Sequence, residues 1–238
     1  MSNRLDCIYG LIPSNSVGVA DIGTDHGIIP VRLAESDYHG NIIASDLRID
    51  PLNKAVQYSE SRGVKNRIRF ILCDGLSGID KELIDHIIIA GMGGDTITKI
   101  LDEEYWCADK RYSLILQPMT HSNILRYWLI NNDFIIKNEY LQKDDGKIYT
   151  VMYVVYGNSE KYSDAELYLG KYDQLKDNEL FPEYLDHLIH RFSIRVKGQE
   201  KSNIPLFDYN LNKSILDELL VYKERLLKVE TFVIEVRP

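Results

Sequence analysis

The sequence predicts an α/β fold: a mostly parallel sheet covered by helices, followed by a smaller helical domain. Short runs rich in Val and Ile alternate with segments of helical periodicity from Val17 to about Gly157. Such alternation favours parallel strands joined by crossover helices. Strand signals largely disappear beyond this point. We therefore predict one domain over residues 1–159 and a helical domain over residues 160–238.

Five apolar runs predict the parallel strands, because a strand covered on both faces by helices shows no polar alternation. They are Val17–Asp21, Ile42–Asp46, Ile68–Cys73, His86–Ala90 and Ser113–Gln117. Two longer runs then flank Asp145-Gly146, a dipeptide typical of hairpin turns. They predict an antiparallel pair over Phe134–Gln142 and Ile148–Tyr156, so the sheet is expected to have seven strands.

Three helices have clear signals in the sequence. Pro51 follows Asp50, which predicts a helix start with Asp50 as its N-cap. In the tail, the spacing of apolar residues predicts helices over Pro182–Lys197 and from about Tyr209. The join at Asn203-Ile204-Pro205 predicts that these two helices pack as an antiparallel pair.

Composition and charge narrow the function classes. The chain has 238 residues, of which 45% are hydrophobic and 27% are charged, and no apolar run approaches the roughly 20 residues of a membrane helix. The N-terminus has no apolar signal core, so a cytoplasmic location is expected. The three cysteines have no metal-ligand spacing, so no metal site is expected. The net charge of -8 argues against indiscriminate binding to polyanions but leaves room for a local basic face.

Acidic residues and glycines follow the first four predicted strands, at the edge where a parallel sheet binds its ligand. The first strand runs into the turn Asp21–Gly27, the second ends at Asp46, the third is followed by Asp74-Gly75 and the fourth by Gly91–Gly94. Taken singly, each acid is equally well explained as a helix N-cap and each glycine as a turn residue. All four together, at successive strand ends, indicate a ligand site.

The first turn departs from the dinucleotide-binding pattern. Asp25 stands where a Rossmann dinucleotide site has its middle glycine, and a carboxylate there would repel a pyrophosphate. The same carboxylate suits a cationic ligand such as a sulfonium or an amine, which disfavours a nicotinamide-dependent oxidoreductase. Asp21 is suited to a cationic amino group, Asp46 to the ribose hydroxyls and Asp74 to the adenine amino group.

These features resemble the class I S-adenosylmethionine-dependent methyltransferases over about Val17 to Tyr156. A narrower resemblance is carried by Ala20–Gly27, Ile89–Gly94 and Leu114–Pro118, with Arg4-Leu5 and Asp145-Gly146-Lys147 in support. On these residues the chain resembles the bacterial tRNA adenine-22 N1-methyltransferases, the TrmK family. The resemblance implies a Rossmann-like seven-stranded sheet with a C-terminal coiled-coil-like domain, S-adenosylmethionine as cofactor, and tRNA as partner without membrane or metal.

Two positions depart from the family pattern. Met119 follows Gln117-Pro118, where an asparagine is expected, and this puts a substrate contact at position 119 in doubt. Gly27 replaces a common alanine, a change that we expect to be sterically neutral. The Asn/Asp-Pro-Pro-aromatic signature of N6-adenine methylation is absent from the end of the fourth predicted strand, which disfavours methylation of the exocyclic amine.

The resemblance also implies roles for individual residues. Asp25 is the expected catalytic residue. The expected cofactor-binding residues are Asp21, Gly23, Thr24, His26, Asp46, Leu47, Asp74, Gly75, Gly91 and Met92. The expected substrate-binding residues are Arg4, Gly93, Gly94, Gln117, Pro118, His121 and Arg126. A basic strip of Arg4, Arg48, Arg62 and Arg126 is expected to contact RNA.

The expected chemistry follows from adenine N1, which has a lone pair and no proton. It can attack a sulfonium methyl group without a base, so Asp25 is expected to orient the ring and to offset its developing positive charge. His26 has two interpretations, an acid–base role or a structural hydrogen bond.

Other functions stay open at this stage. The acceptor could be another RNA, a small molecule or a protein, since the cofactor half of the fold is shared. A non-catalytic RNA-binding protein that retains the pocket is a second alternative. The tail is explained equally by RNA binding and by packing or dimerisation, and we expect a monomer or a weak dimer.

Overall fold

The computed structural model describes residues 3–201 and 206–235 of the chain. The chain forms two compact units, Met1–Glu160 and Lys161–Pro238. The sequence-based division falls one residue earlier. Within the described residues, no helix is both long and apolar enough to span a membrane.

The first unit contains a single seven-stranded sheet. Its strands are β1 (Gly18–Ile22), β2 (Asn41–Asp46), β3 (Arg69–Leu72), β4 (His86–Gly93), β5 (Ser113–Thr120), β6 (Phe134–Asp144) and β7 (Lys147–Tyr156). They lie in the order β3-β2-β1-β4-β5-β7-β6, and β7 alone runs antiparallel to its neighbours. The predicted parallel strands and hairpin are confirmed. Asp145 and Gly146 have φ values of 47° and 73°, as a tight hairpin turn of this type requires.

The helices of the first unit cover this sheet. They are α1 (Asn3–Gly10), α2 (Ile28–Glu35), α3 (Ile49–Ser61), α4 (Gly94–Glu103) and α5 (Ser122–Asn131). α2 and α3 pack on β2, α4 on β4 and β5, and α1 on β6 and β7. The core includes β4, where Ile87, Ile88 and Ile89 are each 0% exposed. Burying each of these side chains contributes about 1.5–3 kcal/mol.

The strand order reverses between β1 and β4. The chain leaves β1 toward β2 and β3 on one side and then returns to β4 on the other side. In an open parallel sheet such a switch point leaves a crevice beyond the carboxyl ends of the strands. The ends of β1 and β4 border this crevice here.

One predicted helix start is wrong by two residues. α3 begins at Ile49 with Arg48 as its N-cap, and no side chain caps it. The acid that orders this start lies before the helix, because Asp46 Oδ1 accepts a 2.9 Å hydrogen bond from the Arg48 backbone N–H. Asp50 therefore lies inside the first turn, where a negative charge favours the helix dipole.

The described residues of the second unit form helices only. These are α6 (Asp164–Leu169), α7 (Tyr172–Leu175), α8 (Phe181–Gln199) and α9 (Leu206–Glu235). The predicted antiparallel pair is confirmed, because Asn212 of α9 bonds Gln199 at 3.2 Å and Lys223 bonds Asp186 at 2.6 Å. The predicted join at Asn203–Pro205 lies outside the described residues.

Arg126 is part of the core. Its side chain is 0% exposed and donates through Nε to Glu139 Oε1 at 3.0 Å, which ties α5 to β6. Ser122 Oγ accepts a further bond from Arg126 Nη1 at 3.3 Å. The prediction that Arg126 contacts tRNA is therefore wrong, because the guanidinium is enclosed and its charge is matched internally.

Replacing Arg126 tests this buried pair. Arg126→Met is expected to lower the free energy of unfolding by about 3–5 kcal/mol, because it leaves the Glu139 carboxylate buried without a counter-charge. Arg126→Met/Glu139→Leu should recover most of that loss. Urea unfolding measures both variants. Lys65→Met, which breaks the exposed pair with Glu60, is the control and should lose much less. A stability of Arg126→Met equal to that of wild type would contradict this account.

Candidate active site

A cleft of about 650 Å³ opens at the carboxyl edge of the sheet. Its walls come from the ends of β1, β2, β3 and β4, with contributions from α1 and α4. It brings together Asp25, all ten predicted cofactor-binding residues and one predicted substrate-binding residue. These are Asp25, Asp21, Gly23, Thr24, His26, Asp46, Leu47, Asp74, Gly75, Gly91, Met92 and Arg4.

Asp21 is a nearly buried acid at the end of β1. It is 6% exposed, and its Oδ2 accepts a 2.7 Å hydrogen bond from Thr24 Oγ1. Burial raises the pKa of the Asp21 carboxyl to about 6, against the lowering effect of the Thr24 bond, and the Asp46 charge adds to the rise. A cation in the cleft would stabilise the ionised carboxylate, which the protein alone disfavours.

The turn after β1 requires left-handed backbone at three positions. Gly23, Asp25 and Gly27 have φ values of 69°, 50° and 67°. A Cβ on Gly23 would stand 2.0 Å from Met92 Cε, and a Cβ on Gly27 would stand 2.9 Å from Ala55 Cβ. The expectation that glycine and alanine are equivalent at position 27 is therefore wrong, because both the backbone and α3 exclude a side chain there.

Asp25 and His26 lie at the mouth of the cleft. Their side chains are 60% and 58% exposed, and Asp25 Oδ2 is 3.5 Å from His26 Nε2. Aspartate is one of the few residues that tolerate left-handed backbone, so the turn can present this carboxylate to the cleft. The exposed position leaves the Asp25 carboxylate accessible to a ligand.

Asp46 connects two strand ends. Its Oδ1 accepts from the Arg48 backbone N–H at 2.9 Å, and its Oδ2 accepts from the Asp25 backbone N–H at 3.4 Å. The preceding residue, Ser45, lines the same cleft and is 1% exposed. Its Oγ has no hydrogen-bond partner among the described residues. The end of β2 therefore offers a polar ligand both a fixed carboxylate and an unpaired hydroxyl.

The glycines at the end of β4 and the start of α4 have different surroundings. Gly91 lines the cleft with a φ of 77°. Gly94 is buried, and a Cβ on it would stand 2.2 Å from the His121 carbonyl oxygen. This close approach explains why position 94 is a glycine, and no substrate contact is needed to account for it. The His121 side chain is exposed and lies 3.1 Å from Asp95. His121, Gly93 and Pro118 all lie outside the cleft lining.

Gln117 lies behind the cleft wall. Its side chain is 0% exposed, and its Oε1 accepts from Gly91 N at 3.1 Å and from Arg4 Nη1 at 2.7 Å. A fully buried amide has no access to RNA. The prediction that Gln117 contacts substrate is therefore wrong, and its role is to hold two residues that do line the cleft.

The predicted basic strip is largely neutralised by acids. Arg4 Nε lies 3.1 Å from Asp144 Oδ2, and Arg62 Nε lies 2.6 Å from Glu35 Oε1. With Arg126 enclosed in the core, Arg48 is the member of the strip that lines the cleft without an acidic side-chain partner among the described residues.

The sequence motifs did not predict one wall of the cleft. Four residues of α4 line it, and their spacing of three, one and three positions puts them on one helical face. They are Thr96, Lys99, Ile100 and Glu103. This periodicity was visible, but nothing in it distinguished a ligand-facing side from a core-facing one. No group of three or more potential metal ligands is present in residues 3–201 and 206–235.

Comparisons with known proteins agree on the family. Residues 1–152 match a family model described as a methyltransferase domain. The chain is 30% identical over 235 residues to the tRNA (adenine(22)-N(1))-methyltransferase of Bacillus subtilis, covering 96% of both proteins. The crystal structure of the B. subtilis m1A22 tRNA methyltransferase TrmK matches with a TM-score of 0.77 at 27% identity, covering 96% of this chain and 98% of that one.

The chain belongs to the TrmK family. A second TrmK structure, from M. capricolum in complex with S-adenosyl-homocysteine, matches with a TM-score of 0.74 at 26% identity. That match covers 100% of this chain and 99% of the other, so it extends over both units. The Rossmann-like methyltransferase fold and the helical second unit are thus properties of the TrmK family as well as of this chain.

The stability of Asp21→Asn tests the burial of this acid. The pKa of Asp21 is about 6 in the folded protein and has its ordinary value of 3.8 in the unfolded chain. Wild type therefore keeps its full stability below pH 3.8, where Asp21 is neutral in both states, and loses stability as the pH rises through about 6. Asparagine does not ionise. Without ligand, Asp21→Asn should therefore exceed wild type by about 2–3 kcal/mol at pH 8, and the difference should vanish near pH 3.5.

Urea unfolding of both proteins at each pH measures this difference. Asp74→Asn, which changes an exposed acid just after β3, is the matched control and should show little difference at either pH. An Asp21→Asn variant that is less stable than wild type at pH 8 would contradict the assignment.

Proposed function

We infer that this protein is an S-adenosylmethionine-dependent methyltransferase that modifies N1 of adenine 22 in tRNA. The observation that carries this conclusion is the cleft itself, where Asp21, Asp46 and Asp74 from three successive strand ends meet the exposed backbone of Gly91. The cleft lies in a chain that matches TrmK relatives over almost their full length, one of them in complex with S-adenosyl-homocysteine.

The cleft fits an adenosine cofactor that carries an amino acid. Its volume of about 650 Å³ is within the range of small-molecule sites, about 300–1,000 Å³. The unpaired Ser45 hydroxyl requires a polar ligand or water, and burial holds the pKa of Asp21 above its ordinary value, an effect that a nearby cation would offset. Both features are relieved by a ligand that is polar and positively charged.

Several residues are assigned to holding this cofactor. When bound, S-adenosylmethionine supplies the methyl group on its sulfonium. Asp21 attracts the ammonium group, Asp46 accepts hydrogen bonds from the ribose hydroxyls, and Asp74 accepts one from the adenine amino group. Gly23 and Gly91 leave the backbone open to close approach by the ligand.

Asp25 acts on the target base. Adenine N1 needs no deprotonation, so the chain must orient the ring and stabilise the positive charge that develops on it. The Asp25 carboxylate is exposed at the mouth and fixed by its turn, which suits it to accept a hydrogen bond from the N6 amino group. Because N1 belongs to the Watson–Crick edge, a paired target must be turned out of its helix first.

The second unit offers a surface for the rest of the tRNA. Arg191 and Arg195 lie one turn apart on α8, both exposed, and no described acid lies within ion-pair distance of either. Two adjacent cations without a counter-charge suit a phosphate contact, and both also lie over the Phe192 ring, so they serve packing as well. Because tRNA is the substrate, we place the protein in the cytoplasm, and a monomer or weak dimer stays our prediction for its assembly.

Mapping the methylated base tests this function against its alternatives. Purified protein with labelled S-adenosylmethionine should methylate a tRNA transcript that has adenine at position 22, and the product should block reverse transcription there. A transcript with guanine at position 22 is the control. Label at another position would indicate a different RNA target. Cofactor binding without any transfer to tRNA would favour a small-molecule or protein acceptor, or a non-catalytic protein.

Asp25→Asn tests the catalytic residue. It keeps the shape and the left-handed tolerance of aspartate but removes the charge, so kcat should fall by about 10²-fold while the affinity for S-adenosyl-homocysteine stays within about twofold. Asp145→Asn changes another aspartate with positive φ, at 47°, in the hairpin turn, and serves as the matched control. Full turnover by Asp25→Asn with normal cofactor binding would remove Asp25 from the mechanism.

A further inference from the structure

Arg4 lines the cleft at the end formed by β1 and β4. A Cβ on Gly91 would lie 4.0 Å from Arg4 Nη1, and a Cβ on Gly23 would lie 2.0 Å from Met92 Cε. The turn after Asp21, Met92, Gly91 and Arg4 thus form one continuous wall. Asp21 and Arg4 are the acid and the cation of this end of the cleft.

The Arg4 guanidinium is held in one orientation. Nη1 donates to Gln117 Oε1 at 2.7 Å and lies 3.5 Å from Met119 Sδ, and Nε donates to Asp144 Oδ2 at 3.1 Å. The guanidinium carbon lies 5.7 Å from the centroid of the Tyr149 ring. Within the described part of the chain, the remaining nitrogen, Nη2, donates to no acceptor. A fixed, charged donor is therefore available to a ligand.

Gln117 keeps this donor in place. Its side chain is fully buried, and its Nε2 donates to the Pro118 carbonyl oxygen at 3.0 Å. The amide therefore cannot rotate to exchange its oxygen and nitrogen without losing bonds at both ends. Its Oε1 stays directed at Gly91 N and Arg4 Nη1, so the same atom sets the cleft backbone and the cleft cation.

The charges that line the cleft indicate which chemical group Arg4 would bind. Four aspartates and Glu103 make the cleft acidic, and such a cleft repels a carboxylate unless a cation faces it. Arg4 is itself paired with Asp144 through Nε, so its position is what distinguishes it from the other lining cations: Lys99 lies on α4 beside Glu103, and Arg48 follows Asp46 at the ribose end. Arg4 is on the wall that also holds Asp21, where an ammonium and a carboxylate of one amino acid can be bound together.

We propose that Arg4 binds the carboxylate of the cofactor's amino-acid part through Nη2, and that Gln117 is a positioning residue for Arg4. The proposal rests on the proposed function, since it takes S-adenosylmethionine as the ligand. It replaces the sequence-based prediction that Arg4 contacts tRNA. An arginine whose side chain is 23% exposed and whose guanidinium is bound on two of its nitrogens serves a small ligand inside the cleft better than a phosphate outside it.

Calorimetry with two ligands tests the contact. S-adenosyl-homocysteine carries the carboxylate, and S-adenosyl-3-thiopropylamine is the same molecule without it. Arg4→Gln in the full chain should weaken S-adenosyl-homocysteine binding about tenfold and leave the affinity for the amine within about twofold, because only the charge-assisted hydrogen bond is lost. Arg4→Lys should recover part of the loss, and thermal unfolding verifies that each variant is folded.

The matched control is Arg48→Gln, the other cleft-lining arginine, which should change the affinity for the two ligands by the same factor. Equal weakening of both ligands by Arg4→Gln, or unchanged binding of both with a raised KM for tRNA, would overturn the proposal. Binding of neither ligand by wild type would instead overturn the proposed function, so the two failures are distinguishable.

The positioning role of Gln117 has its own readout. Gln117→Leu should reproduce the selective loss of S-adenosyl-homocysteine affinity, and Gln117→Glu, which retains an acceptor for Arg4 but loses the Nε2 donor to Pro118, should restore part of it. In the double variant Arg4→Gln/Gln117→Leu, the ratio of the affinities for the two ligands should equal the ratio in Arg4→Gln alone. A selective loss that adds to that of Arg4→Gln would show that Gln117 acts by another route.

Discussion

Parallel pairing of β1 with β2 on one side and with β4 on the other determines where every cleft residue lies. Asp21 is in register with Ala44 of β2 and with Ile88 of β4, so three strand ends finish at the same edge of the sheet. A slip by one residue would turn each side chain to the opposite face and would separate Asp21 from the cleft. The fully buried β1 prevents such a slip, because its own core side chains would then be displaced.

The cleft concentrates features that a stable fold avoids. Asp21 is an ionisable group in a dry position, Ser45 has an unpaired hydroxyl, and Asp25 adopts left-handed backbone. Each of these opposes folding of the ligand-free chain. Elsewhere in the first unit, buried charge is compensated, as in the pair between Arg126 and Glu139. Such conflict is not confined to the cleft, since Glu139 Oε2 in the core also has no partner among the described residues, but in the cleft three conflicting features belong to one lining.

The fold was predictable because its signals are local. Continuous apolar runs identify buried parallel strands, and Asp145-Gly146 identifies the hairpin turn. The acids and glycines at strand ends were predictable for the same reason, since topology brings those ends together. Partners distant in sequence were not predictable. Gln117 and Arg126 appeared to be polar residues near a site, and only the packing of α5 against β6 and of α1 beside β5 shows that both are internal.

The close approach of Gly27 to Ala55 couples the turn after β1 to α3. Their separation leaves no room for a methyl group on the turn, so the residues at positions 27 and 55 are not free to vary independently. A relative with alanine at the first position needs a smaller residue or a more distant helix at the second. Covariation between these two positions is therefore an expected feature of the family's sequence history.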